Sequence, residues 1–201
     1  MRQATGQCFK ILVDRASDGA NHLGSIIKAL VESTRLEQSV QLADKQSIDL
    51  VAWLEGCLVR YQQVYPMSDF RLSSLPDAPL LVTASPELLQ QAFDKLVDNA
   101  VSFAKEDPIV FHLVEDNSAV IRQISLGVAN QTDHQIGSNA DHWFDPMFSE
   151  RDHSGQELHL GLGLYIVKMI AEAHGGVVFA RNQQTSDRKN WVHVGLLLSI
   201  H

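Results

Sequence analysis

The amino-acid sequence predicts an α/β domain preceded by a long helix. Three features carry this prediction: an apolar seam near the N-terminus, two pairs of strand-like runs, and two helices with clear start and stop signals. The chain has 201 residues, 45% of them hydrophobic, which suffices for one core and a short extension but not for two full domains. We therefore expect a partial helical domain over residues 1–45 and one larger domain over residues 46–201.

The composition excludes several classes of protein. The 24 acidic residues outnumber the 16 basic ones, and the formal net charge of −8 repels phosphate backbones and anionic lipids. The two cysteines, Cys8 and Cys57, form neither a zinc-binding pair nor a disulfide framework. No apolar run reaches the roughly 20 residues that a membrane span requires. We expect no nucleic acid partner and a cytoplasmic location, with any membrane anchor in a sensor region outside this sequence.

An apolar seam marks the N-terminal helix. Its positions alternate in steps of four and three along one side of a helix: Phe9, Val13, Ala16, Ala20, Leu23, Ile27 and Leu30. We expect a helix over residues 9–36 whose seam packs on another copy of the chain. The run SIDLVAWLEGCLVRYQQVYP then predicts a second helix, with Asp49 near its start and Pro66 after its end.

The middle of the chain predicts two short strands and a helix. The runs DFRLSSL and PLLVTA are strand-like, and a turn between Pro76 and Pro79 separates them. Ser85, Pro86 and Glu87 then supply an N-cap, a first-turn proline and an early acid. The helix that they open has its apolar positions at Leu89, Ala92, Leu96, Ala100 and Phe103.

The C-terminal half predicts two hairpins around a glycine-led helix. PIVFHLVED pairs with AVIRQISLGVA, and VVFARN pairs with WVHVGLLLSI. Between the hairpins, HLGLGLYIVKMIAEAHGG opens with glycines and closes on Gly175 and Gly176, which suit a helix C-cap. Residues 131–158 are polar and show little periodicity. We expect them to form a lid with few buried contacts, mobile without ligand and ordered by it.

Two segments offer chemistry for binding phosphate. Gly161 and Gly163 lie at the mouth of a helix, where bare backbone N–H groups can approach anionic oxygens. Upstream, Lys95 and Asn99 lie one turn apart on one helix face. An amide oxygen such as that of Asn99 can bind Mg²⁺ that bridges phosphates. Glycine pairs are also common in plain turns, and surface asparagines often bind only solvent, so each signal alone leaves the structural interpretation open.

Taken together, these segments resemble the catalytic domain of sensor histidine kinases. DNAVSFA resembles the end of that family's N box, WFDPMF its F box, and HLGLGLYIVKMIAEAHGG its G2 box and helix. ALVESTRLEQ and SIDLVAWL resemble the end of the second dimerisation helix and the linker helix. The resemblance implies a two-layer α/β sandwich of the Bergerat type, with a mixed sheet and helices on one face. It also implies ATP and Mg²⁺ as cofactors, a homodimer formed through the N-terminal helix, and a response regulator as partner.

The resemblance also implies roles for individual residues. Asn99 falls on the Mg²⁺-binding asparagine of the N box, and Phe103 on its adenine-side aromatic residue. The family also has a G1 box at a strand end, whose aspartate accepts a hydrogen bond from the adenine amino group. Asn130 falls on this aspartate, and an amide oxygen can still accept that bond. The other matches are the phosphate-binding glycines of the G2 box and the lid-packing residues of the F box: Gly161, Gly163, Phe144 and Phe148.

Four positions depart from the family's pattern. Lys95 replaces the first N-box asparagine with a cation that repels a metal ion but can meet a phosphate. His159 replaces the first G2 glycine, and Thr132 and His134 replace the G1 glycines, which removes backbone freedom there. We therefore expect weaker ATP binding than is usual in the family. The asparagine-type G1 box and the HLGLGL motif also resemble kinases associated with proteobacterial sortase systems.

The leading prediction is the ATP-binding catalytic domain of a two-component sensor histidine kinase. It would transfer the γ-phosphate to a histidine outside this chain, by positioning and charge neutralisation without a catalytic residue of its own. His22 precedes Leu23 and Gly24 on what resembles the second dimerisation helix, which does not suit a phosphoacceptor. The alternative is a degenerate, non-catalytic dimerisation or scaffold module. Thr132, His134 and Lys95 favour this alternative, and Asn99, Gly161 and Gly163 oppose it. A gyrase-like or chaperone ATPase is a third interpretation, and the acidic charge argues against it.

The lid also invites a metal-binding interpretation. It is rich in imidazole and carboxylate groups: Asp133, His134, Asp141, His142, Asp145, Asp152 and His153. Their spacings match no tetrahedral zinc signature, and a solvated loop explains the composition more simply.

Overall fold

The structure, a computed structural model, is built on a five-stranded mixed sheet with helices on one face. It describes residues 13, 17, 19–20, 23–24, 27, 31, 34–105, 108–116, 122–133, 136–137, 140–146, 162–185 and 189–199. The strands are β1 (Gln46–Asp49), β2 (Phe70–Leu72), β3 (Leu81–Ala84), β4 (Ile109–Asp116), β5 (Gln123–Gln131), β6 (Val177–Gln184) and β7 (Asn190–Ser199). The helices are α1 (34–42), α2 (Leu50–Val64), α3 (Pro86–Phe103), α4 (Gly163–Ala173) and a 3-10 helix at Ala140–Phe144.

The large sheet has the strand order β2-β4-β5-β7-β6. The edge strand β2 runs parallel to β4, and the other neighbours are antiparallel. Both predicted hairpins are present, as β4–β5 and β6–β7. The predicted α/β class, with a mixed sheet and helices on one face, is confirmed.

The core lies between the inner face of the sheet and the helices. Alternate residues of β5 are buried against the helices, Ile124 and Leu126 among them. Aromatic rings join the layers, because Phe93 of α3 meets Phe111 of β4 edge-on with ring centres 5.0 Å apart. Tyr61 of α2 meets the same Phe111 ring at 5.7 Å. These contacts fix α2 and α3 on the sheet side by side.

The start of α2 differs from the prediction. Residues Gln46–Asp49, predicted in part as helix, form β1 and pair antiparallel with β3. Asp49 ends this strand and caps α2, since its Oδ1 accepts hydrogen bonds from the backbone N–H groups of Val51 and Leu80 at 3.1 Å each. A four-residue strand has too little sequence to show a period, so its partner strand decides its conformation.

The helix α3 begins as the sequence predicts. Ser85 is the N-cap, and its Oγ accepts a hydrogen bond from the N–H of Leu88 at 3.4 Å. Pro86 occupies the first turn, where a missing N–H costs nothing. The helix α4 ends at Ala173, and Gly175 follows with φ of 70°, the left-handed conformation that glycine adopts most easily.

One imidazole ties the start of α3 to the end of α4. Nε2 of His174 accepts the N–H of Ser85 at 3.0 Å, and its Nδ1 donates to the carbonyl of Ile170 at 2.7 Å. Beside it, Nζ of Lys45 donates to the carbonyl of Ala173 at 2.8 Å. Burial, and then the nearby Lys45, lower the pKa of His174 below its usual value. We call this set the His174 junction: Lys45, Ser85, Ile170, Ala173 and His174.

The described part of the N-terminal segment is helical. Its scattered described positions between residues 13 and 31 are helical, and α1 continues to residue 42, beyond the predicted end at 36. Four of its apolar side chains are 44–62% exposed: Val13, Leu23, Ile27 and Val31. By contrast, Leu36 is only 2% exposed, because the end of the helix packs on the core. Among the described residues no helix is long and apolar enough to cross a membrane.

Candidate functional site

The structure brings together predicted residues from α3 and α4. Lys95 and Asn99 are half-buried on α3, and Gly163 is the first residue of α4. A Cβ atom added to Gly163 would lie 3.9 Å from Cβ and 4.0 Å from Cδ of Lys95. The aliphatic stem of the lysine therefore runs alongside the first residue of α4.

Among the described residues, no side chain caps the start of α4. Leu162 is the N-cap residue and makes no side-chain hydrogen bond, and the first turn contains no acidic residue. The first N–H groups of a helix lack carbonyl partners within the helix and carry partial positive charge. This helix start therefore favours an anion.

Two tyrosines of α2 hold two aspartates of α3. The hydroxyl of Tyr61 donates to Asp94 at 2.5 Å, and one turn later the hydroxyl of Tyr65 donates to Asp98 at 2.5 Å. Gln90 adds a 2.7 Å hydrogen bond to the same Asp94 oxygen. We call the two pairs the tyrosine–aspartate ladder. Its hydrogen bond to Asp98 raises the pKa of Tyr65 to about 12, and burial together with Asp94 raises the pKa of Tyr61 well above its usual value.

The aspartates of the ladder bond tyrosines and do not pair with Lys95. Lys95 forms no ion pair with another described residue. Its side chain borders a groove of about 470 Å³ between α2 and α3. The groove is lined by Arg60, Tyr61, Val64, Tyr65, Gln91, Asp94, Lys95, Asp98 and Ile166. Phe103 and Asn130 are not part of this lining, so the groove is distinct from the predicted adenine position; Asn99, the predicted Mg²⁺ ligand, is not part of it either.

The predicted adenine residues lie near one corner of the sheet. Asn130 is near the end of β5 and only 5% exposed, and Phe103 is the last residue of α3 and 37% exposed. Lys105 joins the two elements, because its N–H donates to the carbonyl of Gln131 at 3.1 Å and its ammonium pairs with Asp133. A backbone hydrogen bond and an ion pair therefore connect the end of α3 to the end of β5.

Thr132, at a predicted glycine position, is used by the fold. It is 5% exposed, and its N–H donates to the carbonyl of Asn190 at 3.1 Å. Its carbonyl accepts from the side chain of Asn190 at 3.3 Å. These bonds extend the pairing of β5 with β7 beyond the strand end, where the family's pattern has glycine. The other such position, His134, lies outside the described residues.

The described part of the lid is anchored. The N–H and carbonyl of Ile136 both bond the side chain of Asn182, at 3.0 and 2.7 Å. Phe144 is 2% exposed in the 3-10 helix, which packs on α4 and β6. Asp145 meets Lys168 of α4 at 3.9 Å. Two buried apolar residues, Ile136 and Phe144, therefore hold the described part of this polar segment, and its mobility without ligand stays a prediction.

The structure offers no support for the metal-binding interpretation within its described residues. No three His, Cys, Asp or Glu side chains of that part of the chain lie close enough to hold a metal ion. Asp133 pairs with Lys105, and His142 bonds Asp145 at 2.7 Å. His134, Asp152 and His153 lie outside the described residues, as do the predicted site residues Phe148 and Gly161 and the departure His159.

A second polar group lies on the outer face of the sheet. His112 of β4 lies over Gly127, where an added Cβ would be 2.9 Å from its Cε1 atom. Its ring centre is 5.8 Å from Phe179 and 5.6 Å from His193, and Arg181 lies over Phe179 at 5.1 Å. Burial, and then the charges of His193 and Arg181, lower the pKa of His112 to about 4. We call this the outer-face cluster: His112, Phe179, Arg181 and His193.

Comparison with known protein families shows which family this chain belongs to. Residues 84–199, more than half of the chain, match the family described as histidine kinase-, DNA gyrase B- and HSP90-like ATPase. The chain belongs to this ATPase family. The matched range begins at the last residue of β3 and contains α3, α4 and the corner at the end of β5. The family predicted from the sequence is thereby confirmed.

Relatives of this ATPase domain are sensor kinases. The sensor protein GacS of Pseudomonas syringae is 27% identical over 88% of this chain and 20% of its own length. The sensor-like histidine kinase SenX3 of Mycobacterium tuberculosis is 25% identical over 84% of this chain and 40% of its own length. The chain thus spans between a fifth and two fifths of these two relatives.

Solved structures share the fold of this ATPase domain. A mycobacterial sensor histidine kinase, MprB, superposes with a TM-score of 0.59 at 18% identity, over 79% of this chain and 99% of that one. Full-length ShkA, solved with AMPPNP, gives a TM-score of 0.65 at 17% identity, over 89% of this chain and 36% of that one. At these identities the likeness concerns the fold alone.

Sequence reasoning missed the tyrosine–aspartate ladder. Tyr61 and Tyr65 are one turn apart on α2, and Asp94 and Asp98 are one turn apart on α3. This matched spacing was the available signal, because two helices that pack in parallel bring such pairs into register. Neither helix alone indicates which face meets the other.

Proposed function

We propose that this chain is the ATP-binding catalytic domain of a two-component sensor histidine kinase. In this proposal it binds ATP with Mg²⁺ and presents the γ-phosphate to a histidine outside the chain. The observation that carries the proposal is that Lys95 on α3 lies beside Gly163, at a start of α4 that no described side chain caps. It lies within the region that matches the ATPase family.

Lys95, Asn99 and Gly163 form what we call the phosphate end of the proposed site, and their chemistry fits this ligand. The open N–H groups at Gly163, with those near Gly161, would face phosphate oxygens, and the ammonium of Lys95 adds a cation. The amide oxygen of Asn99 is the protein ligand that we assign to Mg²⁺, an ion that often takes only one or two protein oxygens beside substrate phosphates. When bound, Mg²⁺ neutralises phosphate charge. The chain's own residues orient the phosphates.

The base end would hold adenine. In the proposal, the side-chain carbonyl of Asn130 accepts a hydrogen bond from the adenine amino group, and Phe103 covers the ring. Phe144 and Phe148 would pack the lid over the nucleotide. Phe144 is buried where the 3-10 helix packs on α4, which supports an attachment point for such a lid.

The N-terminal helix would form the dimer. Its exposed apolar side chains, such as Leu23 and Ile27, leave a stripe that another copy of the same helix would cover. We propose a division at residue 45 between this dimerisation segment and the catalytic domain, with a response regulator as the further partner. In this proposal the chain is the cytoplasmic part of an inner-membrane receptor.

A second candidate, a scaffold module that has lost nucleotide, is favoured by Thr132. Its buried position and its two bonds with Asn190 occupy backbone that a glycine loop would leave free to move against a base. Binding at the phosphate end would separate the two candidates.

The test is a titration of the full chain with ATP and Mg²⁺ up to millimolar concentration, followed by calorimetry. We expect saturable binding, even if the dissociation constant approaches 1 mM, which is about −4 kcal/mol. Asn99→Asp should change the metal dependence of binding. Gly163→Val should abolish binding without unfolding the chain, since a Cβ there meets only ordinary contacts.

The matched control is Gly56→Val. Gly56 lies on α2 with nothing within 4 Å of an added Cβ, so this variant should bind as the wild type does. Thr132→Gly together with His134→Gly should tighten binding. If neither the wild type nor this glycine variant binds at millimolar ATP with Mg²⁺, the scaffold candidate replaces the catalytic one.

A further inference from the structure

We propose that Lys95 supplies a fixed positive charge to the nucleotide phosphates, so that this chain binds ATP with little dependence on Mg²⁺. The inference deepens the proposed function and rests on it. It assigns Tyr65 and Asp98 as positioning residues that keep the lysine charge available.

The first step is the position of the lysine stem. A Cβ at Gly163 would be almost equally far from Cβ and Cδ of Lys95, at 3.9 and 4.0 Å. The stem of the lysine therefore lies along the first residue of α4. A cation at an uncapped helix start adds its full charge to the partial charge of the helix.

The second step concerns the nearest carboxylates of α3. Asp98 lies three residues after Lys95, a spacing at which lysine and aspartate can pair on a helix surface. Here Tyr65 holds Asp98 from the side of α2 at 2.5 Å. Asp94 is held by Tyr61 and Gln90. Lys95 accordingly forms no ion pair with another described residue.

The third step concerns what a phosphate requires. Polyphosphate oxygens must have their charge neutralised when they leave water, and either a divalent cation or an ammonium group can do this. An ammonium group one helical turn from Asn99 also repels a divalent cation at that amide. Lys95 thus strengthens binding without metal and weakens the advantage that the metal brings.

The main experiment measures ATP binding to the full chain with Mg²⁺ and with EDTA. For the wild type we expect the two dissociation constants to agree within about fivefold. Lys95→Asn should weaken binding in EDTA by roughly tenfold or more, as expected for the loss of a charged hydrogen bond, and should bind with Mg²⁺ at least as well as in EDTA. The control is Arg60→Asn, which removes a cation from the same groove on α2 and should leave both constants unchanged.

A second set of variants tests the positioning residues. Tyr65→Phe frees Asp98 to pair with Lys95, so binding in EDTA should weaken severalfold while binding with Mg²⁺ changes less. Adding Asp98→Asn to Tyr65→Phe removes the competing carboxylate and should restore binding in EDTA. A purely structural role for Tyr65 predicts no such rescue. Circular dichroism on each variant checks that the fold is intact.

The outcomes separate the two proposals. If the wild type fails to bind ATP both with Mg²⁺ and with EDTA, the proposed function is wrong. If it binds with Mg²⁺ but loses binding in EDTA, or if Lys95→Asn binds in EDTA as the wild type does, the proposed function survives and the lysine inference is overturned. Metal-independent binding that Lys95→Asn abolishes supports both.

Discussion

Lys95 and His112 mark two regions where a polar group has no ordinary partner among the described residues. Near the start of α4, Lys95 is half-buried with its stem beside Gly163, and it forms no ion pair with another described residue. On the outer face, Nδ1 of His112 is buried without a hydrogen bond in that part of the chain. Water reaches the first group, and rings cover the second.

The difference shows which unpaired groups suit a ligand. Lys95 is partly exposed to solvent, so leaving its ammonium group unpaired costs the fold little. His112 stays neutral because burial lowers its pKa, and its unpaired nitrogen reduces stability without offering a ligand any access. Changes on the outer face should therefore alter stability, and changes at the phosphate end should alter binding.

The largest effect should come from Gly195→Val on the outer face. An added Cβ at Gly195 would overlap the carbonyl oxygen of Leu126 and approach Cα of Gly127 at 2.7 Å, and backbone cannot yield as a side chain can. We expect a loss of more than about 3 kcal/mol in the free energy of unfolding. Urea denaturation measures it, with Gly56→Val as the control. A loss below about 1 kcal/mol would contradict the close approach of β5 and β7.

The next effect is the pH dependence that His112 imposes. Above pH 6.5 its imidazole is neutral in both the folded and unfolded states, so His112 does not lower the free energy of unfolding through protonation there. Between pH 6.5 and about 4 the unfolded state takes up a proton that the folded state refuses, so stability falls as pH falls, by about 3 kcal/mol in all. Below pH 4 this loss stops growing.

His112→Phe isolates the contribution of that imidazole. Phenylalanine keeps the ring contacts and removes the unpaired nitrogen, so stability at pH 7 should be equal or greater. Denaturant midpoints measured from pH 7 to pH 4 should fall less steeply in this variant than in the wild type. The lowered pKa values of His174 and His193 leave some dependence in both proteins. Identical slopes would refute the role of His112.

A smaller effect distinguishes the two rungs of the tyrosine–aspartate ladder. Tyr61 is 4% exposed, so Tyr61→Phe should cost about 1–2 kcal/mol of unfolding free energy through its bond to Asp94. Tyr65 and Asp98 form an exposed pair, and Tyr65→Phe should cost less than about 0.5 kcal/mol. Thermal and urea denaturation compare the two. Equal losses would mean that burial does not set the strength of these bonds.

The smallest effect on stability should come from the phosphate end itself. Lys95→Met keeps the stem that packs beside Gly163 and removes only a charge that the fold does not use. We expect a change within about 0.5 kcal/mol in the free energy of unfolding. A loss above about 1 kcal/mol would show that Lys95 is a structural residue.

The fold was largely predictable because its elements have strong local signals. Ser85 and Pro86 fix the start of α3, and Gly175 fixes the end of α4 through its left-handed backbone. The missed element, β1, has no period of its own and exists only through its pairing with β3. Tertiary pairing of this kind leaves no trace in a single short segment.

The site was predictable in its parts but not in its connections. The family resemblance identified Lys95, Asn99 and Gly163, and the structure brings the first and last of these together. The use of Thr132 as a strand extension depends on the distant Asn190, which no local pattern indicates. The same holds for the ladder, whose register depends on how α2 packs against α3.

The His174 junction gives the two site helices a common pivot. Measured along the helix axes, Lys95 is about 15 Å from Ser85, and Gly163 is about 16 Å from His174. At that radius, a relative rotation of only about 4° at the junction changes the separation between Lys95 and Gly163 by about 1 Å. Lys45, in the segment that precedes β1, bonds the same junction through the carbonyl of Ala173. A displacement of this segment would therefore change the orientation of α4 relative to α3.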